Sequence, residues 1–223
     1  FQLMGDKQQQ AARGAWKVSA LFSYPVKSCR GIALHEATVG ATGLDYDRLW
    51  MLVDARNGRF VTQRQVPRLA LIRVAICGDV LELAADAMAA PLRLPLRPNA
   101  DRDLGDRLTV RVWYDNVAGR CCGPAAAAWL TAFVGRPTRL LYKDPAAPRL
   151  VSRYLPADGL CDAPPQTGFA DVFPFHITTE PSLTDINQRV PHALTHRRFR
   201  PNIVLAPAGC RAEPYDEETW TRI

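Results

Sequence analysis

The sequence predicts an α+β fold that is predominantly β, with a barrel-like sheet. Short apolar runs such as 18–24 and 49–53 recur, and few helical patterns lie between them. Turn signals such as Asn57-Gly58 separate these runs and can supply the positive φ that a hairpin needs. The regular strand-helix alternation of a parallel sheet is missing, and no internal repeat is visible.

Apolar runs and alternation predict the strands of the first two thirds of the chain. In order, these strands are Val18–Tyr24, Leu49–Val53, Arg59–Thr62, Leu69–Ile76, Val80–Leu83 and Leu108–Tyr114. A second hairpin turn is expected at Gly78-Asp79. Residues 91–107 are rich in proline, arginine and aspartate, so we expect a loop there.

A helix is expected between Pro124 and Gly135, because proline suits the first helical position and glycine can end a helix in a left-handed turn. Its buried face would consist of Trp129, Leu130, Phe133 and Val134. The strand Thr138–Tyr142 follows. The proline-rich stretch Lys143–Phe173 is a long irregular connection, and such connections are usually functional segments or linkers.

The last part of the chain returns to regular elements. We expect strands at Phe175–Thr178 and Asn202–Leu205, with a helix at Glu180–Val190 between them. The buried stripe of that helix would consist of Leu183, Ile186 and Val190. Residues 217–222 would begin a further turn or helix.

The composition of the 223 residues is that of a soluble globular protein, with 48% hydrophobic and 22% charged residues. No apolar run approaches the roughly 20 residues that a membrane-spanning helix needs. Residues 1–15 lack the apolar segment of a secretory signal, and we interpret them as a flexible lead. We therefore expect a cytoplasmic protein with no membrane association.

The net charge of +6 comes mostly from arginine, since only 4 of the 28 basic residues are lysine. These arginines are scattered, whereas a nucleic-acid-binding protein concentrates its charge on one element. We therefore expect no nucleic-acid partner. The six cysteines contain no CxxC pair, which argues against zinc-ribbon and thioredoxin-like sites and favours free thiols.

Two motifs in the first part of the chain carry groups suited to an anion. Lys27 and Ser28, within residues 24–31, offer a charge and a hydroxyl to a phosphate. An ordinary strand-to-turn segment is the alternative. Arg48 stands beside two aspartates at a strand start, where a surface ion pair is the usual role. Arg48 becomes a candidate for binding the anion only if its side chain points inward beside Lys27.

Two further motifs lie later in the sequence. Thr178 and Thr179 precede the second helix, where Thr179 can act as N-cap and the free N–H groups can bind an anion. Arg200 and Asn202 flank Pro201, which biases Arg200 toward extended geometry. A helix cap alone and a solvated basic loop are the respective alternatives.

In their order and approximate spacing, these segments resemble the MOSC-type molybdenum-cofactor proteins. The resemblance covers residues 16–223 and is closest at 24–31 (Tyr-Pro-Val-Lys-Ser-Cys-Arg-Gly). Further matching segments are Asp47-Arg48-Leu49-Trp50, Val61-Thr62-Gln63-Arg64-Gln65, Ala128-Trp129-Leu130, Thr178-Thr179-Glu180 and Phe199-Arg200-Pro201-Asn202-Ile203. Within this group, the chain is similar to the amidoxime-reducing components and their bacterial relatives.

The resemblance implies a barrel-like MOSC N-terminal domain at 16–143, followed at 144–223 by the first part of a truncated MOSC β-barrel domain. It implies a molybdenum cofactor (molybdopterin), reduction of N-hydroxylated small-molecule substrates, and an electron-donating redox protein of the ferredoxin, flavoprotein or cytochrome b5 type. It assigns the pyranopterin and its phosphate to Lys27, Ser28, Arg48, Thr178, Thr179, Arg200 and Asn202. It assigns no catalytic residue and no metal ligand in these 223 residues.

The family's molybdenum ligand is a cysteine in a Cys-x-Arg-Cys segment beyond residues 215–220, and no cysteine here occupies that segment. We therefore expect either a fragment or a shortened, inactive product. A non-catalytic module that binds or carries the pterin is the alternative function. The cofactor-sulfurating branch of the group, which has a pyridoxal-phosphate domain, fits less well because no such domain precedes residue 16.

Overall fold

The computed structural model describes residues 15–155, 163–209 and 212–220, so most of the expected lead at 1–15 lies outside the described residues. In the described part, thirteen strands and two α-helices confirm the α+β, predominantly β class. The strands are β1 (Trp16–Ser23), β2 (Ile32–Leu34), β3 (Val39–Gly40), β4 (Gly43–Leu44), β5 (Trp50–Asp54), β6 (Arg73–Cys77), β7 (Val80–Ala84), β8 (Leu92–Pro95), β9 (Arg107–Val112), β10 (Asp115–Cys121), β11 (Thr138–Lys143), β12 (Ile177–Thr179) and β13 (Ile203–Pro207). The helices are α1 (Gly123–Val134) and α2 (Glu180–Arg189).

The described residues form two compact units. The larger unit contains 23–32 and the described residues of 37–174. The smaller unit contains 15–22, 33–36 and the described residues from 175 onward. The sequence-based limits 16–143 and 144–223 stay a prediction, because compactness and family resemblance define a domain by different properties.

In the larger unit, four antiparallel strands form a sheet in the order β5-β11-β10-β9. β5 is buried along its whole length, as its unbroken apolar run predicts. A three-stranded sheet β6-β7-β8 and the short pair β3-β4 complete the unit. The main core includes the fully buried side chains of Trp50, Leu52, Leu81, Leu130 and Leu140.

Helix α1 confirms the prediction at both ends. Pro124 lies in the first turn, and Gly135 ends the helix with a φ of 81°, its N–H donating to the Thr131 carbonyl. The buried side chains are Ala126, Leu130 and Phe133, and the predicted Trp129 and Val134 pack half-buried against the same core.

The predicted strand Leu69–Ile76 is wrong in its first half. Pro67–Leu71 is a 3-10 helix, and β6 begins only at Arg73. Pro67 has a fixed φ and no N–H to donate to a ladder. Leu69 and Ile72 are both fully buried, and their i, i+3 spacing suits a 3-10 turn better than strand alternation.

The predicted loop at 91–107 is wrong where β8 lies. Leu92 and Leu94 point into the core, and β8 pairs with β7 at the edge of its sheet. An edge strand tolerates the nearby prolines, because no further strand needs their missing N–H groups. Strand β10 was not predicted at all, since Gly119 and Arg120 interrupt its apolar pattern.

The predicted strand Leu108–Tyr114 ends two residues early. β9 stops at Val112, which pairs with Asp115, so Trp113 and Tyr114 form a two-residue hairpin turn. Trp113 has a φ of +53°. Tyr114 is consequently 63% exposed and does not share the buried face of Val112.

The smaller unit is built on the sheet β12-β13-β1-β2. β12 runs parallel to β13, and β13 runs antiparallel to β1. The three strands predicted for this unit are confirmed within one or two residues. The predicted stripe of α2, consisting of Leu183, Ile186 and Val190, is only half-buried. No helix in the described residues is long and apolar enough to cross a membrane.

Candidate anion-binding site

Lys27 and Ser28 occupy the two central positions of a tight turn that follows β1. The Cys29 N–H donates to the Val26 carbonyl at 3.1 Å, and the Lys27 N–H donates to the Trp50 carbonyl at 2.8 Å. Ser28 has a φ of +72°, which costs a residue with a Cβ roughly 1–2 kcal/mol. Such strain is often kept at functional positions, which supports the prediction for this turn.

The ammonium of Lys27 is buried between two acceptors. Its Nζ donates to the Phe169 carbonyl at 2.8 Å and to Asp171 Oδ1 at 2.6 Å. An ammonium has three N–H donors. Within the described part of the chain, these two bonds leave the third donor without an acceptor, and the ammonium lies 5.8 Å from the centroid of the Phe60 ring.

The environment of Lys27 lowers its pKa. Burial is the largest cause, the charge and hydrogen bond of Asp171 offset part of it, and the charges of Arg48 and Arg149 add to the lowering. An anion that contacts the ammonium would favour the charged form. Contact with an anion would therefore offset part of the cost of burying this ammonium.

Arg48 points into the larger unit, as the anion hypothesis requires. Its side chain is 12% exposed and forms an ion pair with Asp47, which is almost completely buried. Its guanidinium lies 4.9 Å from the centroid of the Tyr24 ring. The alternative, an ordinary surface ion pair, does not describe this geometry.

Lys27 and Arg48 meet at a single residue. The Phe169 N–H donates to the Arg48 carbonyl at 2.7 Å, while the Phe169 carbonyl accepts from Lys27. Gly168 permits this approach, because a Cβ there would lie 2.6 Å from the Arg48 carbonyl oxygen. We call residues 168–171 the acceptor segment.

Three residues of this site are absent from the sequence prediction: Trp113, Arg149 and Asp171. The Trp113 indole N–H donates to Asp171 Oδ1 at 2.7 Å, and Arg149 donates to three carbonyls of the acceptor segment. For Arg149 and Asp171 the sequence signal was the length of the irregular connection 143–173, which indicated function without marking a residue, whereas Trp113 lay in a predicted strand.

Thr178 and Thr179 lie in the smaller unit, at the start of α2. Thr179 is the N-cap, as predicted, and its Oγ1 accepts from the Ser182 N–H. The same hydroxyl donates to the Glu217 carboxylate at 3.0 Å. Thr178 Oγ1 lies 3.0 Å from His196 Nδ1.

A cavity of about 360 Å³ opens beside this helix start, and it is acidic. Glu217 and Glu218 are among its lining residues, together with Thr178, Thr179 and His196. A carboxylate therefore already lies near the helix N-terminus, where an anionic ligand would bind. This position fits an anion less well than Lys27 does.

Arg200 and Asn202 also lie in the smaller unit. The prediction that Arg200 is extended is wrong, since its φ is +61°. The reason is the 3-10 turn before it, in which the Arg200 N–H donates to the His196 carbonyl at 3.1 Å. Asn202 is fully buried, and its amide bonds the backbone of Phe22 and His176.

The structure thus brings together Lys27, Ser28 and Arg48 in the larger unit, and it places the other four predicted residues in the smaller one. The assignment of all seven to one cofactor stays a prediction. Ammonium, hydroxyl and guanidinium groups suit a phosphate. Among the described residues, no three His, Cys, Asp or Glu side chains form a group that could hold a metal ion.

Comparisons with known proteins give two matching family models. Residues 15–137 match the MOSC N-terminal beta barrel domain, and residues 164–223 match the MOSC domain. The first match confirms the barrel-like character predicted for that part of the chain.

Similar curated proteins are the mitochondrial amidoxime-reducing components. Component 1 of Mus musculus and of Homo sapiens are each 36% identical, over 211 and 216 residues respectively. Component 2 of Rattus norvegicus is 31% identical over 212 residues. The alignments cover 92% of this chain, but the chain spans only about three-fifths of the length of these relatives.

Proposed function

This chain belongs to the family of proteins with MOSC N-terminal β-barrel and MOSC domains, and from that premise we propose that it is part of a molybdenum-cofactor-binding reductase of N-hydroxylated substrates. One observation carries the proposal. Lys27 and Arg48 come from two separate motifs of the resemblance, and both bond Phe169, Lys27 through its ammonium and Arg48 through its backbone carbonyl. Among the described residues, the buried ammonium has two acceptors for its three donors. This arrangement suits the anionic end of a phosphorylated cofactor.

In this proposal, Lys27, Ser28 and Arg48 bind the phosphate of the pyranopterin. Lys27 supplies a charge-assisted hydrogen bond, which burial strengthens because water competes less for the donor. Ser28 supplies a hydroxyl at the strained position of the turn. The bound cofactor supplies oxygen-atom and electron transfer, while these protein groups hold and orient it.

The resemblance assigns the same cofactor to Thr178, Thr179, Arg200 and Asn202. Their contacts suggest different contributions within this assignment. The carboxylate of Glu217 must move before an anion can approach the Thr179 cap. Asn202 would act by holding the backbone, because its amide already bonds two backbone groups.

We also propose a separate electron donor of the ferredoxin, flavoprotein or cytochrome b5 type and a small N-hydroxylated substrate such as an amidoxime. These proposals rest on the similarity to the amidoxime-reducing components. The cytoplasmic location stays a prediction, since the relatives are named mitochondrial.

The test is to produce the chain in a host that makes molybdenum cofactor, and then to measure molybdenum and pterin per chain and the reduction of an amidoxime by a reduced donor. We expect pterin to co-purify with the wild type. Lys27→Gln should lose it, and Lys17→Gln, at an exposed lysine, should retain it. Molybdenum without turnover would favour the carrier function. If neither pterin nor molybdenum co-purifies, both functions are rejected.

A further inference from the structure

We propose that Arg149 is a positioning residue for Lys27: together with Trp113 it holds the acceptor segment so that the Lys27 ammonium faces an anion with one donor free. This inference deepens the proposed function and rests on it for the identity of the anion. Arg149 belongs to the irregular connection that the sequence left unassigned. The connection is therefore part of the site and does more than link elements.

Arg149 is the most heavily bonded cation in the described part of the larger unit. Its side chain is 5% exposed and forms an ion pair with Asp115 at 2.6 Å. Its guanidinium donates to the carbonyls of Gly168 at 3.2 Å, Ala170 at 2.6 Å and Asp171 at 3.2 Å. Because these bonds occupy its N–H groups, Arg149 supports the site and does not itself contact the anion.

The bonds from Arg149 satisfy buried backbone carbonyls that no strand pairs. Residues 168–170 are buried but belong to no strand, so a sheet does not satisfy their carbonyls. Arg149 bonds the carbonyls of Gly168 and Ala170, and Lys27 bonds that of Phe169 between them. Two cations thus share one short run of carbonyls, and the position of one depends on the other.

Asp115 fixes Arg149 to the sheet. It is the first residue of β10, and its Oδ2 accepts from both Nε and Nη2 of Arg149. The backbone of Arg149 is also held, because its carbonyl accepts from the Thr167 N–H at 3.0 Å. The guanidinium is therefore attached to a rigid strand on one side and to the acceptor segment on the other.

Trp113 gives the acceptor segment a second, independent attachment to the same hairpin. Its indole N–H donates to the Asp171 oxygen that Lys27 also contacts. The ring packs edge-on against Phe60, with centroids 5.4 Å apart. Its φ of +53° is strained for a bulky residue, and such strain persists where surrounding contacts require it.

The geometry of these contacts requires an arginine. A planar guanidinium has five N–H donors and can bond a carboxylate and several carbonyls at once. A lysine has the same charge but only three donors around one nitrogen. Arg149→Lys should therefore release part of the acceptor segment without removing a charge from the site.

The experiment compares Arg149→Lys and Trp113→Phe with Arg153→Lys in the full 223-residue chain. Arg153 is an exposed arginine of the same connection, and its guanidinium lies over the Tyr114 ring. Trp113→Phe keeps a ring but loses the bond to Asp171. The chain has only four lysines. Trace acetylation with acetic anhydride, followed by mass spectrometry, can therefore measure the acetylation rate of Lys27 relative to that of the exposed Lys17 at each pH.

In the wild type, Lys27 should react much more slowly than Lys17. In Arg149→Lys the relative rate should rise about tenfold, because local opening of the segment exposes the amine, and its pH profile should shift. Trp113→Phe should raise the rate about threefold, as one bond is lost. Arg153→Lys should change neither rate nor profile. Circular dichroism shows whether each variant folds. If Arg149→Lys does not fold, the reactivity of Lys27 in Trp113→Phe tests the proposal instead.

A titration with inorganic phosphate separates this inference from the proposed function. If Arg149→Lys and Trp113→Phe fold and Lys27 reacts as in the wild type, Arg149 does not position Lys27. If Lys27 reactivity changes as expected but the wild type binds no phosphate, the positioning stands and the proposed anion site fails. If phosphate binds and weakens about fivefold in Arg149→Lys alone or in both variants, both conclusions are supported.

Discussion

The ammonium of Lys27 lies 2.6 Å from Asp171 Oδ1, although 144 positions separate the two residues in the sequence. The Asp171 side chain remains 66% exposed. Partial desolvation of its carboxylate acts to raise its pKa, but the charge and hydrogen bond of Lys27 and the bond from Trp113 outweigh this and keep the pKa below its ordinary value. Asp171 is therefore a counter-charge with which an incoming anion competes.

Asp171→Asn should strengthen binding of inorganic phosphate, because the competing charge is removed. The gain should be at most about fivefold, since water screens an ion pair whose carboxylate is largely exposed, and such a pair contributes up to about 1 kcal/mol. It should be larger at low pH, because loss of Asp171 lowers the pKa of Lys27 further and leaves less charged ammonium at high pH. Calorimetric titration at two pH values measures both effects.

The matched control is Asp86→Asn, which removes an exposed carboxylate paired with Arg73. This variant should bind phosphate like the wild type. Weaker binding in Asp171→Asn would contradict the competition and would mean that the carboxylate helps to hold the anion site together.

Ser28→Gly should raise the free energy of unfolding while it weakens phosphate binding. Glycine adopts the φ of +72° without the strain that a Cβ causes, so stability should exceed that of Ser28→Ala by about 1 kcal/mol. Both variants lack the hydroxyl and should bind phosphate equally weakly. Urea denaturation and phosphate titration check the two effects. Equal stability of the glycine and alanine variants would show that the turn is not strained.

Cys122 should make folding stability fall at alkaline pH. Burial is the main cause that raises the pKa of its thiol from 9.0 to about 12. Because the folded-state pKa is the higher one, the stabilising contribution is complete below pH 9 and is lost as pH rises toward 12.

The measurement is urea denaturation of wild type and Cys122→Ala between pH 8 and pH 11. Relative to the alanine variant, the wild type should lose on the order of 3 kcal/mol by pH 11, at 1.36 kcal/mol per pKa unit. Parallel stability curves for the two proteins would contradict the prediction.

Thr179→Ala should destabilise the start of α2 by about 1–2 kcal/mol, because the cap and the bond to Glu217 are both lost. Thr179→Ser keeps the hydroxyl and should retain most of the stability of the helix start. Amide hydrogen exchange over residues 180–189 measures the effect locally. Unchanged exchange in the alanine variant would mean that packing alone holds the helix start.

The sequence predicted the elements whose signals are local. The ends of α1 follow from Pro124 and Gly135, and the turn at 57–58 follows from Asn-Gly, with Gly58 at a φ of +67°. The Thr179 cap was predictable for the same reason, since a cap bonds an N–H only three residues away. The signal was mixed in β8, where the prolines of residues 91–107 favoured a loop. There the pairing with β7 decided the structure.

The sequence by itself singled out Lys27, Ser28 and Arg48 as candidate anion-binding residues, because they stand in short recognisable motifs. Only the tertiary structure decided what holds them. Arg149 contacts Asp115, which lies 34 positions earlier in the sequence, and Asp171 contacts Lys27, which lies 144 positions earlier. Such contacts arise from the folding of an irregular segment onto a sheet, and no local periodicity or motif encodes them.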